Sequence, residues 1–300
     1  MAVHTGRAAR SHPMLPPVFD DAGELAALPR NLEPWPVHEE HSGGNAGAVR
    51  ASLVAAASHG TWIWPEKPVV FISDPHADAD SFLRSLVSAG AVRRLNDGFV
   101  LTPFGQMAKI IVGGDCLDKG PSNLDMLNAL KRLFDLGADV RLLAGNHDLR
   151  LRLAIRALTL PKAPLTEHLF VRMGRKILPL LAEINTRYVT PEDLANLPDE
   201  AECRERIFPS KSWKETFPAA AAPYLTPLGI EKELKKLKKK AKQFAKQADT
   251  EGLTMREVYA ASLRCRDLFL SPDGAYSWFY SAMDVVEQIG SIVFLHAGID

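Results

Sequence analysis

Three hundred residues suit one large domain or two modest ones, and a 46% hydrophobic content supports a packed core and excludes a disordered chain. The 36 basic residues balance the 36 acidic ones, so no overall field draws the chain to nucleic acid or a membrane surface, and neither is expected as a partner. Three scattered cysteines, Cys116, Cys203 and Cys265, exclude a disulfide framework. With no bilayer-length apolar stretch and no signal-peptide core between Met1 and Pro17, they lead to the expectation of a cytoplasmic protein.

Residues 1–64 are rich in proline, histidine, glycine and alanine. Prolines between residues 11 and 36, without a sustained period, mark a loosely ordered leader. One short helix is expected over Ala46 to Ser58. Trp62-Ile63-Trp64-Pro65 carries enough aromatic area to pack on the outside of a sheet. An α/β core is expected over residues 65–150. Val69-Val70-Phe71-Ile72 reads as its first strand. Asp78 to Ala89 follows as a helix, with Phe82, Leu83, Leu86 and Val87 as its apolar stripe and Gly90 as its stop. Ile110-Ile111-Val112 is the second strand. Ser122 then caps a second helix, Asp125 completes a capping-box-like pair, and Met126, Leu127, Leu130, Leu133 and Phe134 face the sheet until Gly137. Val140-Arg141-Leu142-Leu143 is the third strand. Short crossovers between the three imply parallel pairing.

Residues 151–288 are too many for a simple crossover. Arg150 to Leu158, Pro179 to Asn185, Ile230 to Gln247 and Met255 to Phe269 have helical patterns. Proline-rich stretches, Pro161-Lys162-Ala163-Pro164 and Pro218 to Pro227, divide them. The spacing predicts an inserted, mostly helical cap that overhangs the end of the third strand. Within it, Glu231 to Lys240 is strongly basic, while Leu234, Leu237, Ala241 and Phe244 keep one apolar face. That pattern suits a solvated helix on the cap; the alternative is a surface for an anionic partner such as RNA, a membrane or a polyphosphate substrate. No RNA-binding aromatic motif accompanies it. Ile292-Val293-Phe294-Leu295 is a fourth strand, returning the chain to the core over residues 289–300.

Each of the four strands ends in a polar motif. The first ends in Ser73-Asp74-Pro75-His76, the second in Gly113-Gly114-Asp115-Cys116-Leu117-Asp118-Lys119-Gly120. The third ends in Ala144-Gly145-Asn146-His147-Asp148, the fourth in His296-Ala297-Gly298. The carboxyl ends of strands are where open α/β sheets place their sites, and oxygen and imidazole ligands converging from several loops suit divalent metals. Alone, an aspartate such as Asp74 or Asp115 at a strand end is usually a turn or N-cap residue. Four motifs in order, each behind a strand, point to a site instead. His4, His12, His38, His41, His59 and His168 lack that context and read as surface or structural histidines. Cys116, inside the second motif, reads as a small buried filler.

The order Asp-x-His, Gly-Asp-x-x-Asp-(Lys/Arg)-Gly, Gly-Asn-His-(Asp/Glu), His-(Gly/Ala)-Gly resembles the calcineurin-like metallophosphoesterases over roughly residues 66–155 and 288–300. Gly120-Pro121-Ser122 and His296-Ala297-Gly298-Ile299 make it most similar to the phosphoprotein phosphatase branch, which also includes the bacterial bis(5′-nucleosyl)-tetraphosphatases. The resemblance implies an α/β/β/α sandwich and hydrolysis of phosphate esters. Phosphorus is shielded by negative oxygens, and two divalent metals about 3.5–4 Å apart overcome this by clamping the attacking and leaving oxygens. By resemblance, Asp115 bridges the two metals, Asp74 and His76 complete the first site, and Asn146 and His296 hold the second. A metal-activated hydroxide is the implied nucleophile. His147 is the implied general acid, with Asp118 orienting it and favouring the imidazolium. Lys119 is implied to contact the phosphate. Manganese, iron, zinc or nickel would all accept these ligands.

The chain departs from the family in several places. Lys119 stands where protein phosphatases have arginine, which loses the bidentate fork. Ala77 replaces a glycine, and Asp148 replaces a glutamate. These changes point to a divergent, bacterial member acting on a small phosphate ester, a nucleotide or a phosphoprotein. The family pattern continues beyond Asp300 with a further metal-ligating histidine and an arginine, so the C-terminal part of the sandwich is expected to be absent from this chain. The alternative is a non-catalytic binding module of the same fold.

Overall fold

The computed structural model describes residues 63–96 and 98–297. The leader helix expected over 46–58, Trp62, five of the six histidines set aside above (His4, His12, His38, His41 and His59) and the Gly298-Ile299 end of the fourth motif lie outside them.

β1 (Val69–Ile72) feeds α1 (Ala79–Ser88). Asp78 caps this helix, accepting from the Ser81 amide at 2.9 Å, and Phe82, Leu86 and Val87 are buried as the stripe requires. A hairpin that no sequence signal marked follows, β2 (Val92–Leu95) with β3 (Gly98–Leu101), and then the short α2 (Pro103–Met107). β4 (Lys109–Val112) is buried on both faces: Ile110, Ile111 and Val112 are fully covered, as befits the inside of a parallel sheet. α3 (Asn123–Asp135) starts at Ser122 as expected, and Leu124, Met126, Leu127, Leu130 and Leu133 are buried. β5 (Asp139–Leu143) leads into α4 (Asn146–Leu158), which begins at the third motif itself rather than at Arg150.

The stretch between α4 and the next strand, where a cap was expected, comprises α5 (Leu169–Arg172), a 3₁₀ turn at Gly174–Lys176, α6 (Leu178–Tyr188), α7 (Pro191–Ala195), α8 (Glu200–Ile207), α9 (Trp213–Ala221), α10 (Pro227–Thr250), α11 (Met255–Leu270) and α12 (Ser277–Ser281). β6 (Met283–Asp284), β7 (Val286–Ile289) and β8 (Ile292–Leu295) close the described chain. β1, β4, β5 and β6 form one parallel sheet in the order β1-β4-β5-β6. The fold is thus mixed α/β, with a parallel central sheet and many helices.

The fourth expected strand forms but does not join that sheet. β8 pairs antiparallel with β7 in a separate ribbon, while two residues of β6 pair with β5. Gly290, at φ +62°, is the first residue of a two-residue turn that folds β8 back on β7 before it can reach the sheet. The chain also rejoins the sheet at Met283, inside the stretch expected to be cap.

One buried apolar cluster runs from Val70 and Leu130 of the sheet layer to Phe170, Phe244 and Phe279 of the cap. A polar clasp adds to it. Glu183 of α6 reaches the first-turn amides of α3, accepting from Asn123 N at 2.9 Å, Leu124 N at 3.0 Å and Ser122 Oγ at 2.7 Å. A carboxylate at a helix N-terminus satisfies amides that have no partner within the helix and complements its dipole. Glu183→Ala is expected to cost about 1–2 kcal/mol, read by urea unfolding, with faster hydrogen exchange in α6. An unchanged midpoint would show that apolar packing alone holds the cap.

Candidate metal centre

The strand ends turn in unusual backbone conformations. Six non-glycine residues have positive φ among the described residues: Asp74, His76, Ala77, Asp115, Asp118 and Lys119, between +46° and +78°. Each such residue costs on the order of 1–2 kcal/mol and persists only where its surroundings over-determine it. Here backbone bonds between the first and second motifs do so: His76 N to Asp115 O at 2.9 Å and Ala77 N to Cys116 O at 2.7 Å. Ala77, where the resembled family has glycine, sits at φ +61°, a conformation that glycine takes without strain. Gly145 has a different reason. A Cβ there would lie 2.3 Å from Asp115 Oδ1.

Asp148 joins the second motif to the third. Its carboxylate is fully buried and accepts from Cys116 N at 3.1 Å, Leu117 N at 3.3 Å and Gly145 N at 3.2 Å. Burial pushes its pKa up to about 7, against the three amides and with the charge of Asp115 adding to the rise. Sequence reading saw only a shorter replacement for glutamate, not this clamp.

Asp115, 3% exposed, is the centre of the cluster. Its Oδ1 accepts from the His147 amide at 2.8 Å, and His296 Nε2 lies 3.4 Å from the same oxygen. His296 donates from Nδ1 to Gly113 O at 2.8 Å, which leaves Nε2 as the lone-pair nitrogen facing Asp115. Ligand atoms of Asp74, Asp115 and His296 all lie within 4.8 Å of one another. The Asn146 amide nitrogen is 3.5 Å from His296 Nε2, so Asn146 shares this pocket. His76 stands beside it, Nε2 3.7 Å from Asp74 Oδ1, but Lys119 Nζ approaches that nitrogen to 2.7 Å, and His76 Nδ1 is buried with no partner. Two carboxylates converging with an imidazole nitrogen and a neighbouring amide can form a donor set for a divalent metal, and His76 lies outside that group of ligand atoms.

The implied acid sits alongside. His147 Nδ1 is 2.7 Å from Asp118 Oδ2, and its Nε2 is 3.7 Å from Asp115 Oδ2. Lys176, from the 3₁₀ turn of the cap, lies 3.0 Å from Asp118 Oδ2 and 3.3 Å from His147 Nδ1. Asp118 does favour the imidazolium of His147, but other effects outweigh it. Burial holds His147 below its ordinary range, the Lys176 charge adds to that, and Asp118 and Asp115 oppose it without prevailing. Lys176 carries no motif, and sequence reading missed it. It brings the 3₁₀ turn at Gly174–Lys176 against His147. Cys116 is fully buried with its thiol pushed up by burial, consistent with a filler. His168 is buried against Trp213 and Phe217, with ring centroids at 4.8 and 5.1 Å, and is held below its ordinary range mainly by burial. Among the described residues no helix is long and apolar enough to cross a membrane.

No curated protein and no solved structure gives a significant match. A family model described as calcineurin-like phosphoesterase matches residues 67–226, more than half of the chain and three of the four strand-end motifs. With those motifs folded around one possible metal-binding group of aspartates and histidine, the chain belongs to the calcineurin-like phosphoesterase family.

Proposed function

We propose that this chain is a metal-dependent phosphoesterase whose cap restricts it to small phosphate esters, nucleotides included, and that it works in the cytoplasm. The observation that carries the reading is the convergence of Asp74, Asp115 and His296 on one pocket beside the His147–Asp118 pair. Asp115 would bridge two divalent ions, with Asp74 and His76 on one and Asn146 and His296 on the other. Bound there, such a pair lowers the pKa of water toward neutrality and clamps the attacking and leaving oxygens.

The chain's own part is to position and to move a proton. Asp118 fixes the His147 ring through Nδ1 and leaves Nε2 toward the pocket; because burial holds His147 below its ordinary range, the ring would first take up a proton at Nε2 and then pass it to the leaving oxygen. Lys176, close to both Asp118 and His147, keeps that carboxylate compensated. Lys119 would neutralise phosphate as a point charge after releasing His76. We take residues 151–288 as the cap; Lys176 within it narrows the approach to His147, so a folded phosphoprotein would enter only if the cap moved.

The test uses p-nitrophenyl phosphate with manganese. Hydrolysis is expected, with loss on chelation, return on re-adding metal, and a rate well above that on a folded phosphoprotein. Absence of turnover with manganese, iron, zinc and nickel alike would support the non-catalytic binding module. Faster turnover of the phosphoprotein would overturn the role given to the cap.

A further inference from the structure

A cavity of about 900 Å³ opens within the cap, well over twice the roughly 350 Å³ groove lined by Asp74, His76 and Lys119. The basic helix α10 forms one wall, and its lysines are not equivalent. Lys236, Lys239, Lys240 and Gln243 line the cavity and recur at i, i+3, i+4 and i+7, one face of the helix. Lys235, Lys238 and Lys242 are exposed away from it. Lys236 and Lys239 are exposed too, so the lysine run is divided between an outer face and a face that borders this open cavity.

That space is charged and apolar together. Arg150 and Arg172 add to its lysines, against Glu233 as the lining acid, and Glu233 is already bound by the Arg172 guanidinium. Burial, reinforced by the charges of Lys176, Arg172 and Arg175, pushes Lys240 below its ordinary range. Opposite stand apolar side chains, with Leu153 57% and Tyr224 75% exposed at the mouth. Two buried polar atoms on lining residues, His168 Nδ1 and Gln243 Oε1, have no partner.

The cavity and the metal centre share one helix. Asn146, Arg150 and Leu153 fall on one face of α4 at i, i+4 and i+7. Asn146 stands beside His296, and the other two line the cavity, so the helix surface runs from one to the other within about 10 Å at 1.5 Å per residue. The turn bearing Lys176 packs against α10 so closely that a Cβ on Gly174 would lie 2.6 Å from Lys240 Cδ.

We propose that this cavity is the leaving-group subsite, holding an apolar, ring-sized body that carries a second anionic group while its phosphate ester lies at Asp115. This rests on the phosphoesterase reading, but the pocket has a test of its own. The probe is pyranine, an aromatic trisulfonate without phosphate, followed by fluorescence anisotropy on the intact chain. One saturable site is expected. Lys236→Glu with Lys239→Glu should weaken it at least about tenfold, as two charge reversals close to the ligand would. Lys238→Glu, the same change on the outer face, should shift it no more than about twofold through screened long-range charge. Leu153→Gln, at an exposed position that tolerates polarity, should also weaken it. No saturable binding, or equal loss from Lys238→Glu, overturns the pocket.

The second arm compares pyranine phosphate with p-nitrophenyl phosphate, two esters of acidic phenols. The double variant is expected to lower kcat/KM for the first at least about tenfold more than for the second. Equal losses overturn the subsite. A chain that cleaves p-nitrophenyl phosphate but binds no pyranine refutes the pocket and spares the phosphoesterase. A chain that binds pyranine as stated but cleaves neither ester refutes the phosphoesterase reading instead.

Discussion

Asp115→Asn is expected to lower hydrolysis of p-nitrophenyl phosphate by a factor on the order of 10³. Charge stabilisation by a bound metal is worth several kcal/mol, and each 1.36 kcal/mol is a decade in rate. Asp115 is the point where the cluster closes, since its Oδ1 faces both His296 Nε2 and the His147 amide. Asparagine keeps an oxygen for that amide but removes the charge. The fold should therefore survive, and without metal the variant should melt no lower than the parent, because Asp115 charge also opposes ionisation of the buried Asp148. The discriminating measurement is thermal: added manganese should raise the parent's Tm by mass action and leave the variant's almost unmoved. A variant that keeps both the metal-dependent shift and the activity would remove Asp115 from the centre.

His147→Ala should separate substrates by leaving group. A positioned acid is worth about 10²–10⁴-fold where the leaving oxygen is basic, and little where the departing phenol is acidic. β-Glycerophosphate should therefore lose about that factor, while p-nitrophenyl phosphate loses far less. The geometry behind the expectation is Asp118 at 2.7 Å from Nδ1, which directs the other nitrogen to the pocket. Lys176, 3.5 Å from His147 Nε2, is the other cation in place and a natural source of residual activity. Equal losses on both esters would make His147 a structural or phosphate-binding residue instead of an acid.

Local features were the legible part. Ser122 caps the helix that its side chain predicted, because capping depends on two or three residues of spacing. The apolar stripe of α3 came through for the same reason: its burial follows from a 3.6-residue period. Three of the motif residues, Asp74, Asp115 and His296, do come together as one possible metal-binding group, because chemistry limits which side chains can hold a metal.

Partners distant in the chain were not legible. Lys176 meets His147 across 29 residues, Glu183 meets Asn123 across 60, and His296 reaches Gly113 across 183. No periodicity carries such information. Asp148 shows the limit within a motif, since its identity was plain but the three amides it gathers belong to turns built only when two strand ends meet.

By itself, then, the sequence determined the parallel strands β1, β4 and β5, the helices behind them and the residue types at their carboxyl ends, because strand and helix periods and ligand chemistry are local properties. Tertiary structure decided the rest. A glycine turn at Gly290 sent β8 to β7 instead of to the parallel sheet, and packing of the helical segment put Lys176 on Asp118 and turned five residues of α10 toward a cavity. The physical reason is that burial and charge compensation are settled between surfaces, which exist only after the chain has folded.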